Sequence, residues 1–585
     1  MTPPPSTSEP TAPTPWWNPQ RPSGMPVHRY RRPAAPELTG PPSRTWLDNP
    51  PDRAPLWSSV DLRDGNQALA NPMDPRRKRA MFDLLVRMGF KDIEIGYPSA
   101  SEDDFAFVRR LVTGDELPDD VTVSVFTPAR PDLIDRTFEA VRGADRAVVH
   151  LCHATACLWR DVVFRMTPSE VLALARESAL RMVRLADRAD GDIRFEYSPE
   201  TFNVTEPAFA LEIANTVAEI VDASPERPLT LNLPSTVETH APHVFADQIA
   251  WMHRNLDRRD GIILSVHPHN DRGTAVAAAE FALAAGADRV EGTLFGNGER
   301  TGNVCLVTLA LNLFSRGVDP QLDLSDIPAI RAVVEECNEM PVPARHPYAG
   351  DLVFTAFSGT HQDAIAKGLA HLEGRAAETG TPARELPWEV PYLPIDPRDI
   401  GRGYEPVIRV NSQSGKGGIA HVLRTGWGLD LPAGLRADFA GVIQRVTDVT
   451  GAEVAPDRIW DTFHAEYGDI GAWAPLAARD GGDGGRDGDG DGDPIGALLA
   501  AVRARGVRAA ADRLVHGEAG PATGAAHACY ARVLVEHRPV WGVGLGSTAH
   551  AAAVRAVLAA LHRAGARPDD TAPVPHLAGP REGTR

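Results

Sequence analysis

Lysine is nearly missing from this chain. Only Lys78, Lys91, Lys367 and Lys416 stand among 60 basic residues, the others being arginine, a bias that reads as a GC-rich coding sequence rather than as function. Basic residues are also outnumbered by 78 acidic ones, for a net charge of −18, so there is no basic surplus to build a nucleic-acid-binding face. Cysteine is scarce too. Five in 585 residues cannot form a disulfide framework and point to a reducing cytoplasm. Two of them, Cys152 and Cys157, lie near His150 and His153, but their spacing fits no common zinc pattern and reads as packing. No apolar run approaches the roughly 20 residues that span a bilayer, which excludes a membrane protein. The opening Met1-Thr2-Pro3-Pro4-Pro5 has neither the basic nor the apolar region of a secretion signal. No repeat recurs at a fixed period.

What is present is ordinary for a soluble multidomain protein: 43% hydrophobic and 24% charged residues. The 51 glycines and 51 prolines are unevenly spread and mark the divisions. Residues 1–50 form a Pro-rich arm and 471–493 a flexible Asp/Gly linker, with a tail at 569–585. Between them lie a large domain at 51–345, small α/β linker subdomains at 346–470 and a small domain at 494–568. The linker's Asp487, Asp489, Asp491 and Gly492 resemble the start of a calcium loop. Leu498 occupies the place of the bidentate Glu that such a loop needs, so the segment reads as a solvated linker.

From residue 55 to about 300, short β-branched runs alternate with amphipathic stretches. The runs are Leu56–Leu62, Asp92–Gly96, Val121–Thr127, Arg146–His150, Ile193–Tyr197, Leu229–Leu233, Ile262–His267 and Arg289–Leu294. Pro75–Met88, Pro168–Ala189 and Thr274–Ala285 are the clearest helices between them. Eight such units predict an α/β fold, a closed parallel (β/α)8 TIM barrel. An open dinucleotide-binding sheet is disfavoured, because Arg63-Asp64-Gly65-Asn66 lacks the glycine pattern after the first strand.

A barrel gathers the C-terminal ends of its strands at one mouth. Those ends carry Arg63 and Asp64, Glu94, Thr127, His150, Glu196, Asn232 and Thr236, His267 and His269, then Glu291 and Thr293. In an extended strand, residues i and i+2 share a face, so His267 and His269 can face one ion. Asp64 ends the first strand, the barrel neighbour of the eighth. Two imidazoles, a carboxylate and an amide oxygen suit an open Lewis-acid site for Mg²⁺, Mn²⁺ or Zn²⁺. Arg63 could grip a carboxylate or an oxyanion bidentately, or pair with a barrel Glu. Gly296-Asn297-Gly298-Glu299-Arg300-Thr301-Gly302-Asn303 is dense enough in glycine to approach an anion closely.

Taken together, Leu62–Gln67, Val266–Ala275 and Gly296–Asn303 resemble the metal-dependent Claisen-condensing and retro-aldol family, which includes 2-isopropylmalate, homocitrate and citramalate synthases and HMG-CoA lyase. The resemblance is strongest to the long actinobacterial 2-isopropylmalate synthases. It continues through Arg345–Tyr348, Phe357–Asp363, Val390–Pro397 and Val410–Gly418. It implies condensation of acetyl-CoA with 2-oxoisovalerate to 2-isopropylmalate, the committed step of leucine biosynthesis, in a cytoplasmic homodimer. It also implies that Asp64, His267, His269 and Asn303 hold a divalent metal, Mg²⁺ first. On the same resemblance Arg63 polarises the ketone, and His150 and Thr236 contact the oxo acid. Gly296, Asn297, Gly298 and Arg300 would form an acetyl-CoA loop. The general base stays open between Glu196, on the fifth strand, and His361 and Tyr392, which resemble family residues that reach a neighbouring subunit's site.

Beyond the linker, Ile495–Arg505 and Thr548–Ala564 read as helices, with apolar runs Ala531–Val535 and Val540–Gly546 between them. Trp541-Gly542-Val543-Gly544 resembles part of the family's leucine-binding regulatory domain, implying L-leucine as a feedback inhibitor. The domain is a shortened α+β version: the linker stands where the family's first strand pair belongs, and Leu514–Gly517 fits the effector region poorly. The rival readings are another synthase of the family, for citramalate or homocitrate, and a metal-dependent aldolase or lyase.

Overall fold

The structure is a computed structural model that describes residues 44–48, 50–114, 117–356, 358–402, 416–450, 454–480 and 493–568. The residues outside these ranges include most of the expected N-terminal arm, most of the Asp/Gly linker with its calcium-like run, the tail, and the greater part of Val410–Gly418. The chain divides into two compact units: residues up to Leu322 together with Glu336–Glu339, and the remainder.

The first unit is a closed barrel of eight parallel strands: β1 (Leu56–Ser59), β2 (Asp92–Gly96), β3 (Thr122–Pro128), β4 (Arg146–Ala154), β5 (Asp192–Glu200), β6 (Leu229–Ser235), β7 (Ile262–Pro268) and β8 (Arg289–Gly292). Closure is made by β8 lying beside β1, with Leu56 opposite Arg289 and Ser59 opposite Gly292. Local sequence sets the helices between them. Asp74 caps helix Pro75–Met88 by accepting from the Arg77 amide at 2.8 Å. Thr167 and Glu170 cap helix Pro168–Ala186 reciprocally, the Thr167 amide donating to Glu170 Oε2 at 2.7 Å. Ahead of the barrel, Trp46 is buried against Phe281 and donates to Asp247, which also pairs with Arg44.

The second unit holds helices Gly359–Thr379, Lys416–Trp427, Ala433–Thr450 and Pro456–Tyr467. Of the α/β subdomains expected at 346–470, the described residues contain the helical part and no named strand. Its C-terminal part is α+β: helix Pro494–Ala504, β9 (Ala509–Glu518), β10 (His527–Val535), β11 (Arg538–Gly546) and helix Ala549–Arg563. The three strands form an antiparallel sheet in the order β11-β10-β9, and helix Ala549–Arg563 covers it. The glycines of Trp541–Gly544 serve this packing. A Cβ on Gly544 would come within 2.0 Å of the Ala552 carbonyl, so only glycine lets the helix lie this close. No helix among the described residues is long and apolar enough to cross a membrane.

Candidate active site

The ends of the strands surround a cavity of about 270 Å³, lined among others by Arg63, Asp64, Phe126, His150, Glu200, Thr236, His267, His269 and Arg300. A larger cavity, about 1090 Å³, opens at the opposite end of the barrel beside the starts of β1 and β7. Its Arg259 is held by Asp288 at 2.7 Å, and among the described residues no cluster of ligand atoms lies there. The chemistry therefore belongs to the smaller cavity.

Two adjacent residues of a strand point to opposite faces, so a continuous β1 through Leu62 could not aim both Arg63 and Asp64 inward. Instead β1 stops at Ser59, and Asp61–Gly65 winds into a single π-type turn with both side chains in the cavity. Asp64, His267 and His269 offer ligand atoms that all lie within 4.8 Å of one another, and all three are buried. Asn303 lies against two of them: its amide nitrogen donates to Asp64 Oδ2 at 2.7 Å, and its oxygen lies 2.8 Å from His267 Nε2. Gly298 and Gly302 make that placement possible. A Cβ on Gly298 would stand 2.3 Å from the Asn303 amide, and Gly302 adopts φ +94° with the Gly296 carbonyl where a Cβ would go.

Electrostatics fit a cation here. Burial disfavours charge on Asp64, yet Arg63 and both histidines hold its carboxyl far below the usual range. Burial also opposes a proton on His267, but Asp64 and Glu291 raise its pKa to about 10. His269 is lowered to about 4 by burial and by its neighbour His267. His269 Nδ1 is buried without a hydrogen-bond partner. The donor set thus attracts positive charge and leaves a ring nitrogen unused. Two imidazoles, a carboxylate and an amide oxygen, with no thiolate, fit a Lewis-acid divalent ion. The other ring nitrogen of His267 lies 2.8 Å from Glu291 Oε2, which fixes the ring.

Arg63 is not a free cation. It donates to Glu94 and to Asp64 Oδ1, and its guanidinium lies 4.7 Å from the centre of the Phe126 ring. His150 is clasped between Glu94 Oε1 and Ser198 Oγ, each at 2.7 Å. Thr236 lines the cavity, its hydroxyl accepting from the Thr201 amide at 2.9 Å. Thr127 lies outside the lining; Phe126, one residue earlier, has the inward position. Thr293 and Asn297 brace the glycine loop, Thr293 Oγ1 donating to the Asn297 carbonyl and Asn297 Nδ2 to the Gly65 carbonyl.

Glu196 does not line the cavity. It is buried deeper in the barrel, with Arg289 donating to both its oxygens at 3.2 Å. The carboxylate of β5 that does reach the cavity is Glu200, which the sequence reading passed over. Its signal was the strand period: Glu196, Ser198 and Glu200 share one face, but Ser198-Pro199 reads as a stop. Glu200 Oε2 has the Cys152 thiol 4.0 Å away, and burial raises its pKa. His361 and Tyr392 belong to the second unit, where their rings stack at 4.0 Å and Tyr392 is exposed. Cys157 is exposed with its thiol on Asp161, apart from the buried Cys152.

Residues 54–334 match the HMGL-like family model, and 351–424 match the post-catalytic domain-like model of alpha-isopropylmalate synthase. The 2-isopropylmalate synthase of Mycobacterium ulcerans is 51% identical over 567 residues, covering 92% of this chain and all of that one. The chain belongs to the 2-isopropylmalate synthase family. The Mycobacterium leprae member is 49% identical over 96% of both chains, and the Nocardia farcinica member is 59% identical over 78% of this chain and 79% of its own. Membership spans both units, so the family's C-terminal region is represented here as well as its barrel.

Proposed function

We propose that the chain condenses acetyl-CoA with 2-oxoisovalerate and water to give 2-isopropylmalate and CoA, in leucine biosynthesis. The observation that carries this reading is the joining, at one cavity, of Asp64, His267 and His269, with Asn303 hydrogen-bonded beside them, to Arg63 and the carboxylate of Glu200, in a chain of this family. Asp64, His267, His269 and Asn303 would hold the divalent ion, for which we favour magnesium. Lewis-acid polarisation of the ketone is the chemistry such an ion supplies when bound.

The chain's own groups do the rest. Arg63, fixed by Glu94, presents its guanidinium where the ketone oxygen gains negative charge. Thr236 and His150 orient the oxo acid, Thr236 at its carboxylate. The thioester methyl is a weak carbon acid and needs a base with raised proton affinity in a dry pocket. Glu200 lines the cavity, and its partial burial raises its proton affinity. His361 and Tyr392 would then act from the second unit of a neighbouring copy, protonating the alkoxide or activating water. The glycine loop would receive acetyl-CoA, and the C-terminal sheet and helix would bind L-leucine as a feedback inhibitor in a cytoplasmic homodimer.

Release of CoA thiol, measured with acetyl-CoA, Mg²⁺ and a panel of 2-oxo acids, tests the substrate. Release is expected with 2-oxoisovalerate. Release with pyruvate or 2-oxoglutarate alone would move the assignment to a citramalate or homocitrate synthase. Inhibition curves with leucine test the regulatory reading, and no response at millimolar leucine would end it.

A further inference from the structure

Three loops at the cavity rim, following β6, β7 and β8, are tied into a closed ring by side chains outside the metal set. Asp271, after β7, accepts from Arg300 Nε at 2.7 Å and from its terminal nitrogen at 3.1 Å. The same carboxylate accepts from the Glu238 amide, after β6, at 2.9 Å. Glu238 in turn accepts from the Arg272 amide at 2.6 Å and from the Thr274 hydroxyl. Arg300, after β8, closes the ring by donating to the backbone carbonyl of Thr236. Arg300 also holds a left-handed backbone conformation, φ +57°, which a non-glycine residue keeps only when its surroundings impose it. Three residues further on stands Asn303.

We propose that Asp271 and Arg300 are positioning residues: a strap that presets the Thr236 turn, and with it the carboxylate end of the oxo-acid site. The guanidinium of Arg300 is committed to Asp271 and to Thr236, which argues against its serving as a free contact for a CoA phosphate. The substrate named in this inference rests on the function proposed above; the strap itself rests only on the geometry.

The test compares Asp271→Asn, Arg300→Gln and the double variant in the full-length chain, by steady-state kinetics and by hydrogen exchange of the amides in 236–240 and 297–303. If the strap presets Thr236, each single variant raises KM for 2-oxoisovalerate about ten-fold while KM for acetyl-CoA changes less than about two-fold. The double variant is then no worse than either single one, and both segments exchange faster. An increase in acetyl-CoA KM for Arg300→Gln alone, with Asp271→Asn unchanged, would overturn the proposal in favour of direct CoA contact. Multiplicative effects in the double variant would overturn it too. A wild-type chain that releases no CoA with 2-oxoisovalerate refutes the proposed reaction instead. The exchange data then decide the strap alone, and unchanged protection in both variants rejects it.

Discussion

The barrel interior contains two carboxylate-rich layers on the same strands, and they differ in how charge is balanced. In the inner layer, Arg289 donates to Asp92 at 2.8 Å, to Glu291 at 2.6 Å and to Glu196 at 3.2 Å, so each acid has a partner inside the chain. At the mouth, Asp64 draws on Arg63 and the two histidines, while Glu200 has the Cys152 thiol 4.0 Å away and feels Arg63 and His267 only through space. Burial raises the cost of charge in both places. Where a cation hydrogen-bonds the acid, burial yields a fixed strut; where it does not, as at Glu200, the charge demand is left for a ligand or a proton. β5 joins the two layers, with Glu196 in one and Glu200 in the other, four residues apart on one face.

The contrast is broken most severely by removing the mouth's charge. Asp64→Ala or His267→Ala should take CoA release to background while circular dichroism keeps the barrel signature, and calorimetric titration with Mn²⁺ should show lost binding. Near-normal turnover in either variant would reject the metal assignment. Next in size is Glu200→Gln, for which kcat should fall about 10²–10⁴-fold with the fold intact. The pH dependence gives its sign. A base must be deprotonated, so kcat/KM in the wild type should decline on acidification through the raised Glu200 pKa. That decline falls at a higher pH than the roughly 4.3 of a free Glu carboxyl, and it should vanish in the variant.

The join between the layers can be probed through Glu291, which takes Arg289 on one oxygen and His267 Nδ1 on the other. Glu291→Gln should leave the barrel folded and weaken divalent-metal affinity about 10–100-fold, read by titration rather than by rate. Unchanged affinity would mean that the inner layer does not orient the ligand histidine.

These layers also mark how far the sequence could be read. All eight barrel strands and the His267/His269 pair were legible, because apolar alternation and the i, i+2 rule are local. The turn at Asp61–Gly65 was not: its run looks like more strand, and only closure against β8 stops β1 at Ser59. Glu200 was hidden by Pro199, which reads as a terminator although the strand continues through it. β9 was missed because Ala509–Glu518 is an edge strand, mostly exposed, with three alanines at its start and no apolar alternation. Partnership was the least legible property. Nothing near Arg289 in the chain says that Asp92 and Glu196, both far away in sequence, will meet it.

The smallest effect should come from Glu196→Gln, and it separates the layers most cleanly because Glu196 and Glu200 are the same residue type on the same strand face. Burial pushes the Glu196 carboxyl well above its normal range, only partly offset by Arg289, while its neighbour Glu291 is held ionised by Arg289 and His267. Burial thus raises the proton affinity of Glu196 even though Arg289 donates to both its oxygens. A glutamine has nearly the same shape and keeps one oxygen to accept from Arg289, giving up one of the two long donated bonds. Stability should change by less than about 1 kcal/mol, measured by denaturant unfolding of the full chain. The rate constant should stay within about three-fold of wild type, less than 1 kcal/mol of barrier. A fall in kcat comparable to that of Glu200→Gln, with unfolding unchanged, would put the base in the inner layer. The division between a structural layer and a reactive mouth would then have to be redrawn.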